Sequence, residues 1–129
     1  MSPRKIKALF AVLCLAALLA QTPASSAQRG ITQRLRFARG SSTAAVEDSV
    51  VRGTRNRYLL GARAGQTMIV RISSLEDNAV FDVYAARGRK RLTTERTEWG
   101  GELPASGDYV ISVGGTRGNA SYRLEVEIH

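Results

Sequence analysis

The sequence predicts an all-β fold, a single antiparallel β-sandwich of about eight or nine strands. Short apolar runs recur between residues 33 and 128, and turn-forming residues separate them every few positions. No helical period follows residue 27. The region from residue 28 onward is long enough for one small core and contains no cysteine, so packing alone must stabilise the domain.

The first strands follow from alternating side chains. Residues 33–39 place Leu35 and Phe37 on one face and arginines on the other, as expected of a half-buried strand. Residues 46–52 predict a weaker strand, because a polar Glu-Asp-Ser run interrupts it. Loops are predicted on either side of this strand, at residues 40–45 and 53–56.

Residues 57–72 hold two apolar runs that flank a turn ending at Gly65. If the runs pair as a hairpin, Arg63, Ala64 and Gly65 form a three-residue loop with Gly65 in the left-handed conformation. Alternatively, the runs belong to different sheets and the turn is a corner between them. The three-residue loop follows if Tyr58, Leu60 and Ala62 share a face with Met68, Val70 and Ile72.

The C-terminal half contains the clearest alternation in the chain. Its apolar positions are Tyr109, Ile111 and Val113, followed by Tyr122, Leu124, Val126 and Ile128. Other strands are predicted at residues 79–85, 92–94 and 97–103. The loops are predicted at residues 73–78, 87–91, 104–107 and 114–119.

Counting strands predicts which loops lie together. If each strand crosses the sandwich once, successive loops lie at alternate ends. One end then carries residues 53–56, 73–78, 95–96 and 114–119. The opposite end carries residues 64–65, 87–91 and 104–107.

Residues 1–27 are expected to be a cleaved signal peptide. Arg4, Lys5 and Lys7 precede an apolar core that is too short to span a bilayer, and small and polar residues follow. Cleavage is expected after Ala27, with Ala24 as the alternative. Cys14 is not expected to carry a lipid, because it lies within the apolar core. The sequence therefore predicts a domain at residues 28–129 in the periplasm, or secreted, without a membrane anchor.

The residues of common catalytic and metal sites are missing from the predicted domain. The only histidine is the terminal His129, and no Cys/His cluster exists. Serines therefore lack a histidine to activate them. Glu98 and Glu102 would share an exposed strand face, which is typical of solvated carboxylates. We expect no enzymatic activity, no cofactor and no metal.

Arginine dominates the charge of the predicted domain. Three of the nineteen Lys and Arg lie in the signal peptide, and the remaining sixteen exceed the eleven acids by five. An acidic partner would suit this composition, because guanidinium groups match carboxylates and phosphates. Nucleic acid is not an expected partner outside the cytoplasm. The basic run at residues 87–91 is either a solvated hairpin tip or a site for the phosphates of lipopolysaccharide or teichoic acid.

Two further residues have alternative interpretations. Trp99, which lies among polar residues and glycines, either stacks on a sugar ring or fills the end of the core. Arg117 lies in the glycine-rich segment 114–119, which is either an ordinary hairpin loop or a device that presents a cation to an acidic cleft.

Two motifs, ARAGQ at residues 62–66 and LPASGDY at residues 103–109, are the strongest parts of a pattern that spans about residues 35–128. This pattern resembles the periplasmic inhibitors of g-type lysozyme and the wider group of secreted β-sandwich modules found beside bacterial peptidases. It implies a periplasmic inhibitor that blocks the substrate groove of a g-type lysozyme with a loop arginine. The alternative is a non-catalytic module that binds peptidoglycan or another polysaccharide.

The resemblance implies Arg117 for the blocking role, because it precedes the last predicted strand. Loop counting places further residues at the same end. The expected partner-binding residues are therefore Arg117, Asn119, Arg55, Arg57 and Tyr58.

Overall fold

The computed structural model describes residues 30–129. The predicted signal peptide and its cleavage site lie outside these residues. Residues 30–129 contain nine strands and no helix that could span a membrane. The strands are β1 (Thr32–Arg34), β2 (Thr43–Val50), β3 (Asn56–Ala62), β4 (Thr67–Ser73), β5 (Ala79–Ala85), β6 (Arg91–Arg96), β7 (Glu98–Glu102), β8 (Gly107–Gly115) and β9 (Ala120–Ile128).

The nine strands form two packed sheets, which confirms the predicted β-sandwich. The five-stranded sheet has the order β1-β3-β8-β5-β6, and the four-stranded sheet has the order β2-β9-β4-β7. Neighbouring strands are antiparallel except for β1 and β3, which are parallel. The core lies between the sheets, because apolar side chains alternate inward along both.

The inward faces carry the residues that alternation predicted. Leu60, Phe81 and Ile111 are at most 1% exposed in the five-stranded sheet. Met68 and Leu124 are fully buried in the four-stranded sheet. These side chains form one contiguous core, which stabilises the fold without a disulfide.

Residues 57–72 form a corner between the two sheets. The strand β3 belongs to the five-stranded sheet and β4 to the four-stranded sheet, so the hairpin alternative is wrong. Gly65 has a φ of 87°, as the tight turn requires, and its N–H donates to the Leu103 carbonyl at 2.9 Å. The corner lets Leu60 and Met68 enter the same core from opposite layers.

The N-terminal strands differ from their predicted bounds. Only Thr32–Arg34 pairs as β1, although Leu35 is buried and Phe37 packs against the core as expected. The strand β2 begins at Thr43, where a loop was predicted, and pairs with β9 without interruption. Its polar residues cause no break, because Glu47 is on the solvent-facing side of an edge strand.

Loop contacts confirm the predicted division into two ends. At one end the Thr116 N–H donates to the Asn78 carbonyl at 2.8 Å. At the other end the Ala64 N–H donates to Ser106 Oγ at 2.9 Å. We call the first of these the loop end, formed by residues 51–55, 74–78 and 116–119.

Candidate functional site

The loops of the loop end are fastened to one another by hydrogen bonds. Asn78 is buried, and its Nδ2 donates to the Asn119 carbonyl at 3.1 Å. The Asn119 side chain reaches the third loop, where its Oδ1 accepts from the Arg52 N–H at 2.7 Å. Asn119 therefore has a clear structural role, because it joins the loop before β9 to the loop before β3.

Arg117 projects from this fixed base into solvent. Its side chain makes a single long hydrogen bond among residues 30–129, from Nη2 to the Asp77 carbonyl at 3.4 Å. It forms no ion pair with any carboxylate of these residues, and it is exposed. Most of its guanidinium donors are consequently available to a partner.

Exposed apolar side chains occur at or near the same end. Three large hydrophobic residues are exposed among residues 30–129: Ile31 at 40%, Val51 at 39% and Leu75 at 95%. Leu75 and Val51 lie in loop-end segments, and the Ile31 carbonyl accepts from the Arg57 N–H beside the start of β3. Sequence reasoning missed this grouping, although the single leucine in the polar segment 73–78 was a visible signal.

The loop that carries Leu75 is held in place by Glu76. The Glu76 carboxylate accepts from Ser121 Oγ at 2.8 Å, from the Ser121 N–H at 3.1 Å and from Ser74 Oγ at 2.9 Å. These hydrogen bonds, with the Ser121 hydroxyl contributing most, hold the pKa of Glu76 below its usual value. Leu75 is therefore displayed by an anchored loop.

Arg55 and Arg57 lie on the outer face of the five-stranded sheet and not at the loop tips. Arg55 Nε donates to Ser112 Oγ at 3.0 Å, and its Nη2 donates to the Ser112 carbonyl at 2.9 Å. Arg57 is opposite Ser112 in the register of β3 and β8. Together they line a surface cavity of about 500 Å³, which we call the arginine cleft. Its lining residues are Arg55, Arg57, Asp82, Tyr84, Arg89, Arg91 and Ser112.

Tyr58 points into the core and is only 1% exposed. Its hydroxyl forms a hydrogen bond with the hydroxyl of Tyr122, which joins the two sheets. Burial, reinforced by this hydrogen bond, raises the pKa of Tyr58, so the phenol stays neutral. A buried side chain has no surface to offer, and this corrects the expectation that Tyr58 contacts a partner.

Trp99 packs against the hydrophobic core. It is half-buried on β7, and its ring lies so close to Gly101 that a Cβ there would come within 2.6 Å of Trp99 Cζ2. Its pairing with Val70 directs the ring inward. This packing agrees with the core interpretation of Trp99.

Several acidic residues in the described part of the chain form ion pairs at the surface. Glu98 pairs with Arg71 at 3.1 Å on the outer face of the four-stranded sheet. No cluster of three or more His, Cys, Asp or Glu side chains suited to a metal occurs within residues 30–129.

Solved structures of periplasmic lysozyme inhibitors have an architecture similar to that of this chain. PliG of Aeromonas hydrophila, a periplasmic inhibitor of g-type lysozyme, is 33% identical with a TM-score of 0.68, and the match covers 79% of this chain and 100% of that chain. Salmonella Typhimurium PliG, of the same description, is 22% identical with a TM-score of 0.63, covering 78% and 99% of the two chains.

A more distant match shares the fold alone. The pre-peptidase C-terminal domain of a Bacillus anthracis collagenase is 10% identical with a TM-score of 0.57, and the match covers 79% of this chain and 100% of that domain. No protein-family model and no curated protein sequence matches the chain.

Proposed function

Since this chain belongs to the family of periplasmic inhibitors of g-type lysozyme, we propose that it binds and inhibits a lysozyme of that type. It does so as a binding protein without enzymatic activity of its own. The single observation that carries the proposal is the composition of the loop end, where an exposed guanidinium and exposed apolar side chains lie on loops that hydrogen bonds join together. The chemistry of the expected partner explains why this combination suits inhibition.

Arg117 supplies the electrostatic part of the interaction. A lysozyme cleaves glycosidic bonds with carboxyl groups in its substrate groove. A guanidinium placed there forms charge-assisted hydrogen bonds with such a carboxylate and excludes the substrate. Arg117 suits this role because most of its donors are free and its loop is anchored through Asn78 and Asn119.

Leu75 and Val51 supply the apolar part of the interaction. Apolar side chains exclude water around a charged contact, and desolvated centres contribute most of the binding energy in protein interfaces. Hydrogen bonds from Ser121 to Glu76 restrain the Leu75 loop before binding, which reduces the entropy lost on association. Arg55 and Arg57 border the loop end on the outer face of the five-stranded sheet, whereas Tyr58 is buried in the core.

The same proposal includes a periplasmic location and the removal of a signal peptide. Residues 1–27 are removed as a signal peptide and residues 28–129 fold as the inhibitor in the periplasm, where the similar PliG proteins act. A lysozyme that crosses the outer envelope would meet the inhibitor there.

Inhibition assays with the mature protein test the proposal. The wild-type protein should lower cell-wall lysis by a g-type lysozyme, and c-type and i-type enzymes serve as comparisons. Arg117→Ala should weaken inhibition by about 2 kcal/mol, or roughly thirtyfold, as expected of a central charged contact. Arg63→Ala is the matched control, because Arg63 is an exposed arginine at the opposite end.

Three outcomes would contradict the proposal. Absence of inhibition at large molar excess would contradict the proposed inhibitory function. Equal potency of Arg117→Ala and wild type would contradict the assignment of Arg117 to the binding site. Retention on insoluble cell wall that is lost in Trp99→Ala would favour the glycan-binding alternative.

A further inference from the structure

The arginine cleft concentrates four guanidinium groups around one carboxylate. Asp82 Oδ2 lies 2.6 Å from Arg91 Nη1 and 3.3 Å from Arg55 Nη2. Arg57 and Arg89, the other two arginines, have no carboxylate partner among residues 30–129 and are exposed. The cleft consequently has an excess of positive charge that the described part of the chain does not neutralise.

Two of these guanidinium groups are held in fixed positions. Ser112 fixes Arg55 through its hydroxyl and its carbonyl. Arg91 lies over the ring of Tyr84, with 5.6 Å between its Cζ and the ring centroid. Fixed donors lose little entropy when they bind an anion, and the ring adds a cation–π contact that orients Arg91.

The charge of the cleft belongs to a larger asymmetry between the two outer faces of the sandwich. On the five-stranded sheet, the five arginines formed by Arg34 and the cleft arginines outnumber the three acids, which are Asp82, Glu95 and Asp108. On the four-stranded sheet the acids predominate. Its outward charged residues are Glu47, Glu98, Glu102, Glu125, Glu127, Arg71 and Arg123. This charge asymmetry attracts anions to the cleft and repels them from the opposite face.

We propose that the arginine cleft, which borders the loop end, is a second binding site and that it binds phosphate groups. A phosphate offers several acceptor oxygens, and guanidinium groups that converge from different strands can bind them together. The cavity is open, polar and about 500 Å³ in volume, so it admits a phosphate that remains attached to a larger molecule. The phosphate can belong to an anionic phospholipid headgroup or to a soluble phosphate ester.

Two binding experiments distinguish these sources. In the first, inorganic phosphate is titrated into the isotope-labelled mature protein, and NMR shifts of Ser112, Tyr84 and the arginine side chains are followed. In the second, flotation is compared between vesicles of phosphatidylcholine alone and vesicles that also contain phosphatidylglycerol. Binding only to the vesicles identifies a lipid headgroup, and binding only to free phosphate identifies a soluble ester.

A pair of charge-matched variants shows whether the cleft is responsible. The double variant R57Q/R89Q removes the two unpaired guanidinium groups and should weaken phosphate binding by about tenfold or more. The control R39Q/R63Q removes two exposed arginines outside the cleft and should bind like wild type. Both variants lower the net charge equally, so a general charge effect would weaken them equally.

Two results would contradict the proposed phosphate site. Equal losses in R57Q/R89Q and R39Q/R63Q would show nonspecific attraction. The absence of saturable binding to both phosphate sources in the wild-type protein would also reject the proposal. Lysozyme inhibition is measured separately, so failure of the phosphate site leaves the proposed inhibitory function to stand or fall on its own test.

Discussion

Arg55 and Arg91 share the single carboxylate oxygen Asp82 Oδ2, at 3.3 and 2.6 Å. The other oxygen of Asp82 accepts from the Glu95 N–H at 2.8 Å. One buried acid on β5 thus fixes an arginine before β3 and the end of β6. The same carboxylate lines the arginine cleft and connects β5, β6 and the segment before β3.

Asp82→Asn is therefore expected to destabilise the protein. The amide can still accept from the Glu95 N–H, but the partly buried guanidinium of Arg55 and the exposed one of Arg91 lose their counter-charge. We expect a decrease of about 2 kcal/mol in the free energy of unfolding, measured by urea denaturation. Asp108→Asn should have a smaller effect, because both members of the Arg34–Asp108 pair are exposed and solvent screens them. Equal stability of Asp82→Asn and wild type would contradict this account.

Asn56 provides a second prediction, because it connects three separate elements in the core. Its Nδ2 donates to the Ser49 carbonyl and to Tyr122 Oη, both at 2.9 Å, and its Oδ1 accepts from the Ile31 N–H at 3.1 Å. Asn56→Ala leaves buried polar groups unpaired, so unfolding should require about 2–4 kcal/mol less. Thermal and urea unfolding measure this.

Tyr58→Phe is the informative comparison for Asn56→Ala. It removes one hydroxyl from the same network but leaves the bonds of Asn56 to Ser49 and Ile31 in place. Tyr58→Phe should consequently lower the free energy of unfolding by less than Asn56→Ala does. A larger cost for Tyr58→Phe would show that the contact between the tyrosine hydroxyls, and not Asn56, is the centre of the network.

The sequence predicts the strands better than it predicts their partners. Alternation located β5 at its observed bounds and identified the inward side chains of β8 and β9, because burial of one face imposes a period of two. Sheet membership is not local information. The turn at Gly65 has the same chemistry in a hairpin as in a corner, so sequence patterns left both possible.

The candidate site shows a similar limit. Loop counting brought residues 74–78 and 116–119 together, because strand direction alone decides this. It did not show that Arg55 turns towards Asp82, since that contact depends on which strands neighbour β3. It also placed Tyr58 at a binding surface, whereas the period of β3 directs the ring inward to Tyr122.

Glu76 predicts a pH dependence of stability. Its pKa is lowered in the folded protein, mainly by the Ser121 hydroxyl, so its contribution is fully present above the pKa of the unfolded chain and is lost as pH falls through the folded pKa. Glu76→Gln should therefore unfold more easily than wild type at neutral pH. The difference should shrink as pH falls below the ordinary glutamate pKa of about 4.3. Thermal melts of both proteins across this range test the sign, and a difference that grows in acid would contradict it.

Leu75 gives the most direct test of the proposed interface, because its effects on binding and on stability should separate. The side chain is 95% exposed, so Leu75→Ser should leave the unfolding midpoint unchanged. If the side chain becomes buried against lysozyme, its loss should weaken inhibition by about tenfold, as expected when much of a leucine's burial is removed from an interface.

Leu75→Met is the matched control and should retain potency, since methionine restores a similar apolar volume. Inhibition titrations and thermal melts on the three proteins decide the matter. Full potency of Leu75→Ser would exclude the 74–78 loop from the interface, and an equal loss in Leu75→Met would indicate that the loop conformation matters more than its apolar surface.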